Sequence, residues 1–266
     1  MTFKLLRYPK NLNGLRLAYP LENRMVYGGG SGLTTFDYSG FGQTGTLALG
    51  GQSAGQRGGF GIPITGPTPT AMHFGDSSGV SSITTTFPSA INFANPLTVV
   101  VTMQMSSTPG TFPEVFSIYN SGAGSIVGNG LNGAVMSPLY VNGRTGTGTV
   151  TLVAGLWYRY VGTWDGTNVR DYLNGVDFTG SQTGTFVAGS HNVFTIAKGQ
   201  DGNTPWRGSM RDFRYYTRAW SRAEAVDDWR EQVSASKMGY WPGIDALGWV
   251  PSPAPSGLIL MGQIML

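Results

Sequence analysis

The sequence lacks cysteine and contains only two histidines, His73 and His191. Without cysteine the chain has no disulfide bond, no thiol nucleophile and no Cys-ligated zinc site. A serine hydrolase needs a base beside its nucleophile, and neither histidine stands in a recognisable catalytic motif. His73 lies in a strand-like segment, which predicts a core or edge position. His191 lies in a Gly-Ser-His-Asn segment, which predicts an exposed loop.

Charge is scarce as well. Charged residues make up 12% of the chain, and 17 basic against 14 acidic groups give a net charge of +3. A nucleic-acid partner calls for a clustered basic patch, and the nearest candidates are Arg207, Arg211, Arg214, Arg218 and Arg222. The segment between them has a strand pattern, in which side chains alternate between faces, so the arginines are expected to divide between the two faces. We therefore predict no nucleic-acid partner.

Long apolar runs are also missing. No segment approaches the ~20 apolar residues that a membrane-spanning helix needs. The first nine residues lack the apolar run of a secretory signal peptide. We therefore predict a protein without a membrane span that is made and folded in the cytoplasm.

Glycine and aromatic residues are abundant: the chain has 41 Gly, 7 Trp, 12 Tyr and 13 Phe. Glycine serves tight turns and bulges, and Thr, Val, Tyr and Phe suit pleated strands. From residue 71 onward, short strand-like runs recur with turn residues between them, the clearest being Leu97–Met105. This spacing is typical of an all-β sandwich or barrel.

Two hairpins and one helix can be named from their local chemistry. Asn142-Gly143 and Asn174-Gly175 each follow a strand-like segment, and Asn-Gly supplies the positive φ angles that a two-residue hairpin requires. Ser221-Arg222-Ala223-Glu224 is a capping box, which predicts that a helix begins there. In that helix an apolar stripe at helical spacing faces the protein. The predicted solvated face carries Asp227, Asp228 and Glu231.

The predicted organisation is an N-terminal arm (residues 1–13), one β domain (14–237) and a Pro-rich, apolar C-terminal tail (238–266). An apolar tail is costly to leave in water. It either packs back on the domain or adds a strand to a neighbouring chain, and the second use is favoured because prolines hold the tail away from the body. The predicted assembly residues are Leu258, Ile259, Leu260, Met261, Ile264 and Leu266.

Two segments carry a family resemblance. Trp157–Thr167, continuing through Arg170–Gly175, has a Trp, an alternating strand, an Asp-Gly turn and a strand that ends in Tyr-x-Asn-Gly. Trp206–Ser221 resembles a closing strand followed by a helix entry, with Trp220 where Leu is usual. Both segments resemble the laminin-G-like or concanavalin A-like lectin domains. The resemblance implies a two-sheet antiparallel jelly-roll sandwich with one short C-terminal helix.

The resemblance does not fix a function, because this family includes lectins, adhesion modules, glycosidases and phage-particle proteins. A glycosidase needs two carboxylates that flank the scissile bond. Related glucanases carry them in a Glu-x-Asp-x-x-Glu strand, and this sequence has no such motif. We therefore predict no catalytic residues and no enzyme activity.

Laminin-G-like domains often bind calcium, so acidic residues in loops are candidate ligands. The candidates are Asp165, Asp76 and Asp201, since carboxylate and carbonyl oxygens are the ligands that calcium takes. The alternative for Asp165 is that it makes the Asp-Gly turn, and we favour that alternative. We expect no cofactor, with calcium left open.

Glycan binding would use exposed aromatic side chains with polar partners. Trp157 and Arg159 share one face of their strand, while Tyr158, Tyr160 and Trp164 share the other. One face must fill the core, and the pattern does not decide which. Trp206, beside a polar loop, is a third candidate; packing in the core or an interface is the commoner use of such side chains.

Two classes of function remain. The first is a structural protein on a virion surface, such as a capsid decoration or fibre-associated protein with a glycan-binding role. The second is a soluble lectin or adhesion module, which would be extracellular; a glycoside hydrolase is a distant third. The expected partners are neighbouring protein chains, among them capsid proteins or copies of this chain, and a cell-surface glycan.

Overall fold

The computed structural model describes ten ranges of the chain, which contain most of the predicted domain. These ranges are residues 12–19, 21, 26–27, 34–35, 37–49, 72–74, 81–105, 111–119, 126–198 and 206–235. The predicted assembly residues of the tail and the loop residues Asp76 and Asp201 lie outside them.

Within these ranges the chain forms nineteen strands and one helix, which agrees with the all-β prediction. The strands are β1 Leu15–Tyr19, β2 Val26–Tyr27, β3 Thr34–Thr35, β4 Gly45–Leu49, β5 Met72–Phe74, β6 Ser81–Asn92, β7 Leu97–Met105, β8 Thr111–Tyr119, β9 Ile126–Asn132, β10 Val135–Met136, β11 Tyr140–Val141, β12 Thr145–Gly146, β13 Val150–Thr151, β14 Trp157–Trp164, β15 Val169–Leu173, β16 Val176–Asp177, β17 Gln182–Thr183, β18 Ser190–Ile196 and β19 Gly208–Tyr216. The helix is α1, Arg222–Ala235.

The strands form two large antiparallel sheets. The first has the order β1-β19-β7-β14-β15-β16, with β5 paired to β19. The second has the order β13-β10-β9-β8-β18-β6-β4-β3-β2, with β11 paired to β9, and β12 and β17 form a separate pair. Neighbours such as β19 and β7 are far apart in sequence, as expected of a sandwich rather than a meander. The predicted two-sheet antiparallel sandwich with one C-terminal helix is confirmed.

The two sheets enclose one large apolar core. Strand β14 is buried along its whole length, and the structure decides which of its faces points inward. Tyr158, Tyr160 and Trp164 belong to the core between the sheets. Trp157 and Arg159 therefore lie on the outer face of the first sheet.

Helix α1 covers part of that outer face. It closes a second, smaller apolar cluster that includes Val100, Val161, Tyr216 and Ala225. The helix begins as predicted. The amide nitrogen of Ser221 donates to Oε2 of Glu224 over 2.8 Å, and the amide of Glu224 donates to Oγ of Ser221 over 3.3 Å. The capping box is confirmed.

Both predicted hairpin turns are confirmed. Asn174 and Gly175 have φ angles of 52° and 76°, and they join the antiparallel strands β15 and β16. Asn142 and Gly143 have φ angles of 36° and 100°. Both of these turns use the left-handed backbone region that Asn and Gly tolerate best.

A bulge in β19 changes the faces of its arginines. The register against β7 shifts between Arg211 and Arg214, and Asp212 within the shift has a φ of 51°. The guanidinium of Arg211 lies over the ring of Trp157, and Arg214 reaches helix α1. Both arginines therefore lie on the outer face, and the predicted division of these two between faces is wrong because a bulge adds one residue to one strand.

Two further side chains differ from their predicted positions. Asp228, expected on the solvated face of the helix, is buried against the first sheet. His191, expected in an exposed loop, is a buried residue at the start of β18, where its ring meets the ring of Phe93 edge-on. Strand β18 begins at Ser190, directly after Gly189, so His191 belongs to the strand and not to the preceding loop.

No helix in the described part of the chain is long and apolar enough to cross a membrane.

Candidate binding cleft

An open cleft of about 480 Å³ is lined by residues of both large sheets. Its walls come from β1 and β19 of the first sheet, from β6 of the second sheet, from the turn between β6 and β7, and from the segment 37–44. The lining residues are Arg16, Phe41, Gln43, Phe87, Pro88, Ser89, Ala90, Ile91, Asn92, Asn95, Pro96, Tyr215 and Thr217. These residues are distant in sequence, and the sandwich brings them together.

The carboxylate of Asp37 holds the segment 37–44 in place. Its Oδ1 accepts hydrogen bonds from the amides of Ala18 and Ser39, each 2.9 Å long. Its Oδ2 accepts from the amide of Gln43 over 2.9 Å and from the Ser39 hydroxyl over 2.6 Å. The hydroxyl of Tyr19, a core residue, donates to the carbonyl of Gln43. Asp side chains often organise turns in this way, and here the result is a loop tied to strand β1.

This loop carries the most exposed aromatic side chain of the cleft. Phe41 is 51% exposed, and its amide donates to the Ser39 hydroxyl over 3.2 Å. The guanidinium carbon of Arg16 lies 4.3 Å from the centre of the Phe41 ring, the geometry of a cation–π contact. The ring is therefore held at the rim by its backbone and by Arg16.

Another part of the lining presents polar groups between two prolines, Pro88 and Pro96. Asn92 and Asn95 are both exposed and belong to the end of β6 and to the turn that follows it. Oδ1 of Asn92 accepts from the amide of Ala94 over 2.9 Å, and the amide of Asn95 donates to the carbonyl of Asn92 over 3.1 Å. These bonds fix the turn, and the side-chain NH₂ of each Asn can donate to a ligand.

Among the described residues, the cleft lining contains one cationic group and no carboxylate. Tyr215 forms part of the floor, and burial raises its pKa well above the ordinary value, although the nearby Arg16 lowers it somewhat. Tyr215 is therefore neutral at physiological pH. The described residues that line the cleft do not include the pair of carboxylates that glycosidic bond cleavage requires. The groups that are present can bind and orient a ligand.

The predicted glycan residues of β14 lie elsewhere, on the outer face of the first sheet, where Trp157 packs against Arg211 and Arg159 contacts helix α1. Trp157 is 4% exposed and Arg159 is 2% exposed. Nε of Arg159 lies 2.7 Å from Oδ2 of Asp228, and its Nη2 lies 3.1 Å from Oδ1 of the same carboxylate. This two-pronged pair ties the helix to the sheet, so the guanidinium of Arg159 is engaged inside the protein.

Arg159 belongs to a larger buried network of charges. Oδ2 of Asp212 forms ion pairs with Nη1 of Arg159, 2.9 Å away, and with Nη2 of Arg214, 2.6 Å away. Nη1 of Arg214 also lies 3.1 Å from Oδ1 of Asp228. Burial alone would raise the pKa of Asp212, but the two guanidinium groups bring it below its ordinary value. Asp212 therefore remains ionised, and the network has two positive and two negative groups.

The third glycan candidate, Trp206, lies in the core. It has no exposed surface and is part of the cluster between the sheets. Its amide donates to the carbonyl of Ala197 over 3.0 Å, which fixes the chain just before β19. The structure therefore places none of Trp157, Arg159 and Trp206 in the cleft.

Asp165, a calcium candidate, forms the turn between β14 and β15. Its Oδ1 accepts from the amides of Thr167 and Asn168 over 2.8 and 2.7 Å, which is the turn-making alternative that the sequence favoured. The described residues contain no group of three or more acidic or histidine side chains arranged to hold a metal ion. Calcium binding that involves Asp76 and Asp201 stays a prediction.

The family follows from the sequence itself. A profile of the laminin-G type, described as the concanavalin A-like lectin/glucanases superfamily, matches residues 74–226, more than half of the chain. The chain belongs to this superfamily. The resemblance carried by Trp157–Gly175 and Trp206–Ser221 is thereby confirmed. None of the curated proteins compared with this superfamily member matches it in sequence.

Solved structures show the same fold at low identity. The binding domain of Paraclostridial Mosquitocidal Protein 1 is 11% identical over 82% of this chain and 52% of that chain, with a TM-score of 0.55. A botulinum neurotoxin type C structure, from work on cell entry that depends on two ganglioside molecules, is 8% identical over 82% and 51%, with a TM-score of 0.54. This superfamily member thus spans about half the length of these toxin chains.

A third structure is matched over nearly its full length. Domain 4 of AbnA, a GH43 extracellular arabinanase from Geobacillus stearothermophilus, was solved in complex with arabinotriose. It is 19% identical to this superfamily member over 80% of this chain and 97% of that chain, with a TM-score of 0.51. At these identities the likenesses establish the fold alone.

Sequence reasoning missed the residues of the cleft. Asp37 was visible as part of a turn-rich segment, and its turn-making role could have been inferred. Arg16, Phe41 and Asn95 gave no signal, because each is a single residue on a separate segment. The pairing of β1 with β19 and of β4 with β6 helps to bring these segments together at one cleft.

Proposed function

We propose that this chain is a non-catalytic carbohydrate-binding module whose ligand lies in the cleft between Phe41 and the turn at Asn92 and Asn95. The observation that carries the proposal is the exposed Phe41 ring, on a loop fixed by Asp37, in a cleft whose lining also includes exposed amide side chains. An aromatic face packs against the C–H face of a sugar ring, and amides exchange hydrogen bonds with its hydroxyl groups. Because the walls are already fixed, binding costs little ordering of the protein.

Relatives of the same fold support a sugar as the ligand. AbnA domain 4 holds arabinotriose and is matched over 97% of its length. The botulinum neurotoxin type C structure comes from work on interaction with gangliosides. These ligands belong to those proteins, and the proposal for this chain rests on the groups that line its own cleft.

Binding without catalysis is favoured by the charges of the cleft. Glycosidic bond cleavage requires an acid and a base or nucleophile on opposite sides of the bond. The described residues of the lining offer one guanidinium, one neutral phenol and several amides and hydroxyls. These groups bind a sugar and leave its glycosidic bonds intact.

Replacing the exposed ring tests the proposal. Phe41→Ala removes the stacking surface. We expect it to lower the affinity for the tightest-binding glycan on an array by about tenfold or more, since a loss of ~1.4 kcal/mol corresponds to a factor of ten. The measurement is isothermal titration calorimetry with that glycan. Tyr140→Ala is the matched control, because Tyr140 is also exposed but does not line the cleft.

Two results would contradict the proposal. One is an array on which the intact protein binds no glycan. The other is a Phe41→Ala variant that binds as tightly as Tyr140→Ala. Both variants change surface side chains, so their thermal unfolding should match that of the unaltered protein and show that folding is intact.

A role on a virion surface is a separate proposal, compatible with sugar binding. It depends on the apolar residues 258–266 as a docking segment, and these lie outside the described ranges. The predicted capsid partners, self-association and location on a particle stay predictions with it, as does the extracellular alternative. Mass spectrometry of purified particles from the source would test this role.

A further inference from the structure

The cleft is electrostatically one-sided. The described residues that line it include Arg16 and no Asp, Glu, His or Lys. Asp37 belongs to the loop that carries Phe41, and its two oxygens already accept four hydrogen bonds from Ala18, Ser39 and Gln43. That carboxylate is directed into its own loop, and the charged group that lines the cleft is a cation.

The setting of Arg16 favours recognition of an anion. The side chain is exposed, and its guanidinium lies over the Phe41 ring. Stacking on a ring uses the flat face of the guanidinium and leaves its N–H donors, which lie in the plane, available. No described carboxylate forms a salt bridge with Arg16. A guanidinium whose carbon lies 4.3 Å from a ring centre, and whose donors no described carboxylate takes, matches the oxygen pair of a carboxylate or sulfate.

We propose that the cleft selects an anionic sugar, one that carries a carboxylate or a sulfate group, and that Arg16 is the specificity-determining residue. This inference rests on the proposed function. The acidic group lies against Arg16 at the rim beside β1, and the ring hydroxyls face Asn92 and Asn95 across the cleft. Phe41 acts twice, as the surface for the sugar ring and as the support that orients the guanidinium.

The test compares matched sugars on the intact chain and on an Arg16 variant. The probes are an oligogalacturonide, a sulfated galactose oligosaccharide and the neutral galactose oligosaccharide of the same length. Calorimetry should show at least about tenfold tighter binding of one or both acidic probes, as a charge-assisted bond of ~1.4 kcal/mol or more provides. Arg16→Gln should reduce that affinity to the level of the neutral probe.

Arg170→Gln is the matched control for net charge. Arg170 is exposed on β15, four strand positions from β1 in the first sheet, and its replacement removes the same charge. It should leave binding of every probe unchanged. Comparison of the two acidic probes identifies the carboxylate or the sulfate as the preferred group.

The outcomes separate this inference from the proposed function. If neutral and acidic probes bind equally, or if Arg170→Gln weakens binding as much as Arg16→Gln, selection by Arg16 is overturned while sugar binding stands. If Phe41→Ala abolishes binding of all probes and Arg16→Gln abolishes only the preference for acid, both hold. If no probe and no arrayed glycan binds, both fail.

Discussion

At the scale of single residues, Asp171 is the carboxyl group most affected by the core. It lies on β15 without solvent exposure. Its Oδ1 accepts the hydroxyl of Tyr160 over 2.6 Å and the amide of Leu139 over 2.9 Å. Burial raises the pKa of Asp171 to about 7 even though both hydrogen bonds act to lower it. The folded protein therefore binds the carboxyl proton of Asp171 more tightly than the unfolded chain does.

The sign of the resulting pH dependence follows from linkage. Because the pKa of this acid is raised on folding, the free energy of unfolding falls as pH rises from about 4 towards about 7 and then levels off, by roughly 4 kcal/mol at most. Asp171→Asn retains an oxygen for Tyr160 and Leu139 and cannot ionise. We expect its unfolding free energy to stay level between pH 4.5 and pH 7.5.

Urea denaturation of both proteins across that range measures the difference. The unaltered chain should lose stability relative to Asp171→Asn as pH rises. Parallel profiles for the two proteins would show that this carboxyl keeps an ordinary pKa and that the core tolerates its charge.

At the scale of elements, the attachment of helix α1 to the first sheet depends on charge as well as on apolar packing. Asp228 lies between Arg159 and Arg214, and all three side chains are buried. Removing one member of a buried ionic group leaves the remaining charges without compensation. The helix should therefore be more sensitive to a neutral substitution at Asp228 than to one elsewhere on its surface.

Asp228→Asn should lower the free energy of unfolding by about 3–5 kcal/mol, because two buried guanidinium groups lose one of the two carboxylates that they share and keep only Asp212. Asp227→Asn is the matched control. The adjacent Asp227 is exposed and faces Arg230 on the surface, where an ion pair contributes about 1 kcal/mol or less. Urea denaturation measures both, and equal losses for the two variants would contradict the structural role of the network.

The elements also show where sequence reasoning succeeds and fails. The capping box at Ser221 and Glu224 and the Asn-Gly turns were predictable because each depends on bonds within a few residues. The burial of Asp228 was not, since it depends on Arg159 from a distant strand. The bulge at Asp212 was equally invisible, because the strand pattern around it gives no sign of the extra residue.

At the scale of the whole molecule, the fold was predictable because it is encoded redundantly. Many strands, turn residues and the two segments around Trp157 and Trp206 all indicate the same sandwich, so a local error such as that at His191 does not change the result. The cleft has no such repeated signal, because single residues on separate segments form it. Its position emerges only when the sheets are assembled, and the aromatic residues that the sequence singled out fill the core instead.

The most direct test of the account is a crystal structure of the intact chain with the tightest-binding oligosaccharide. We expect a sugar ring packed on Phe41, its hydroxyl groups within hydrogen-bond distance of Asn92 or Asn95, and an acidic substituent against Arg16. A sugar bound on another surface, with Phe41 and the turn at Asn95 facing only solvent, would contradict the account.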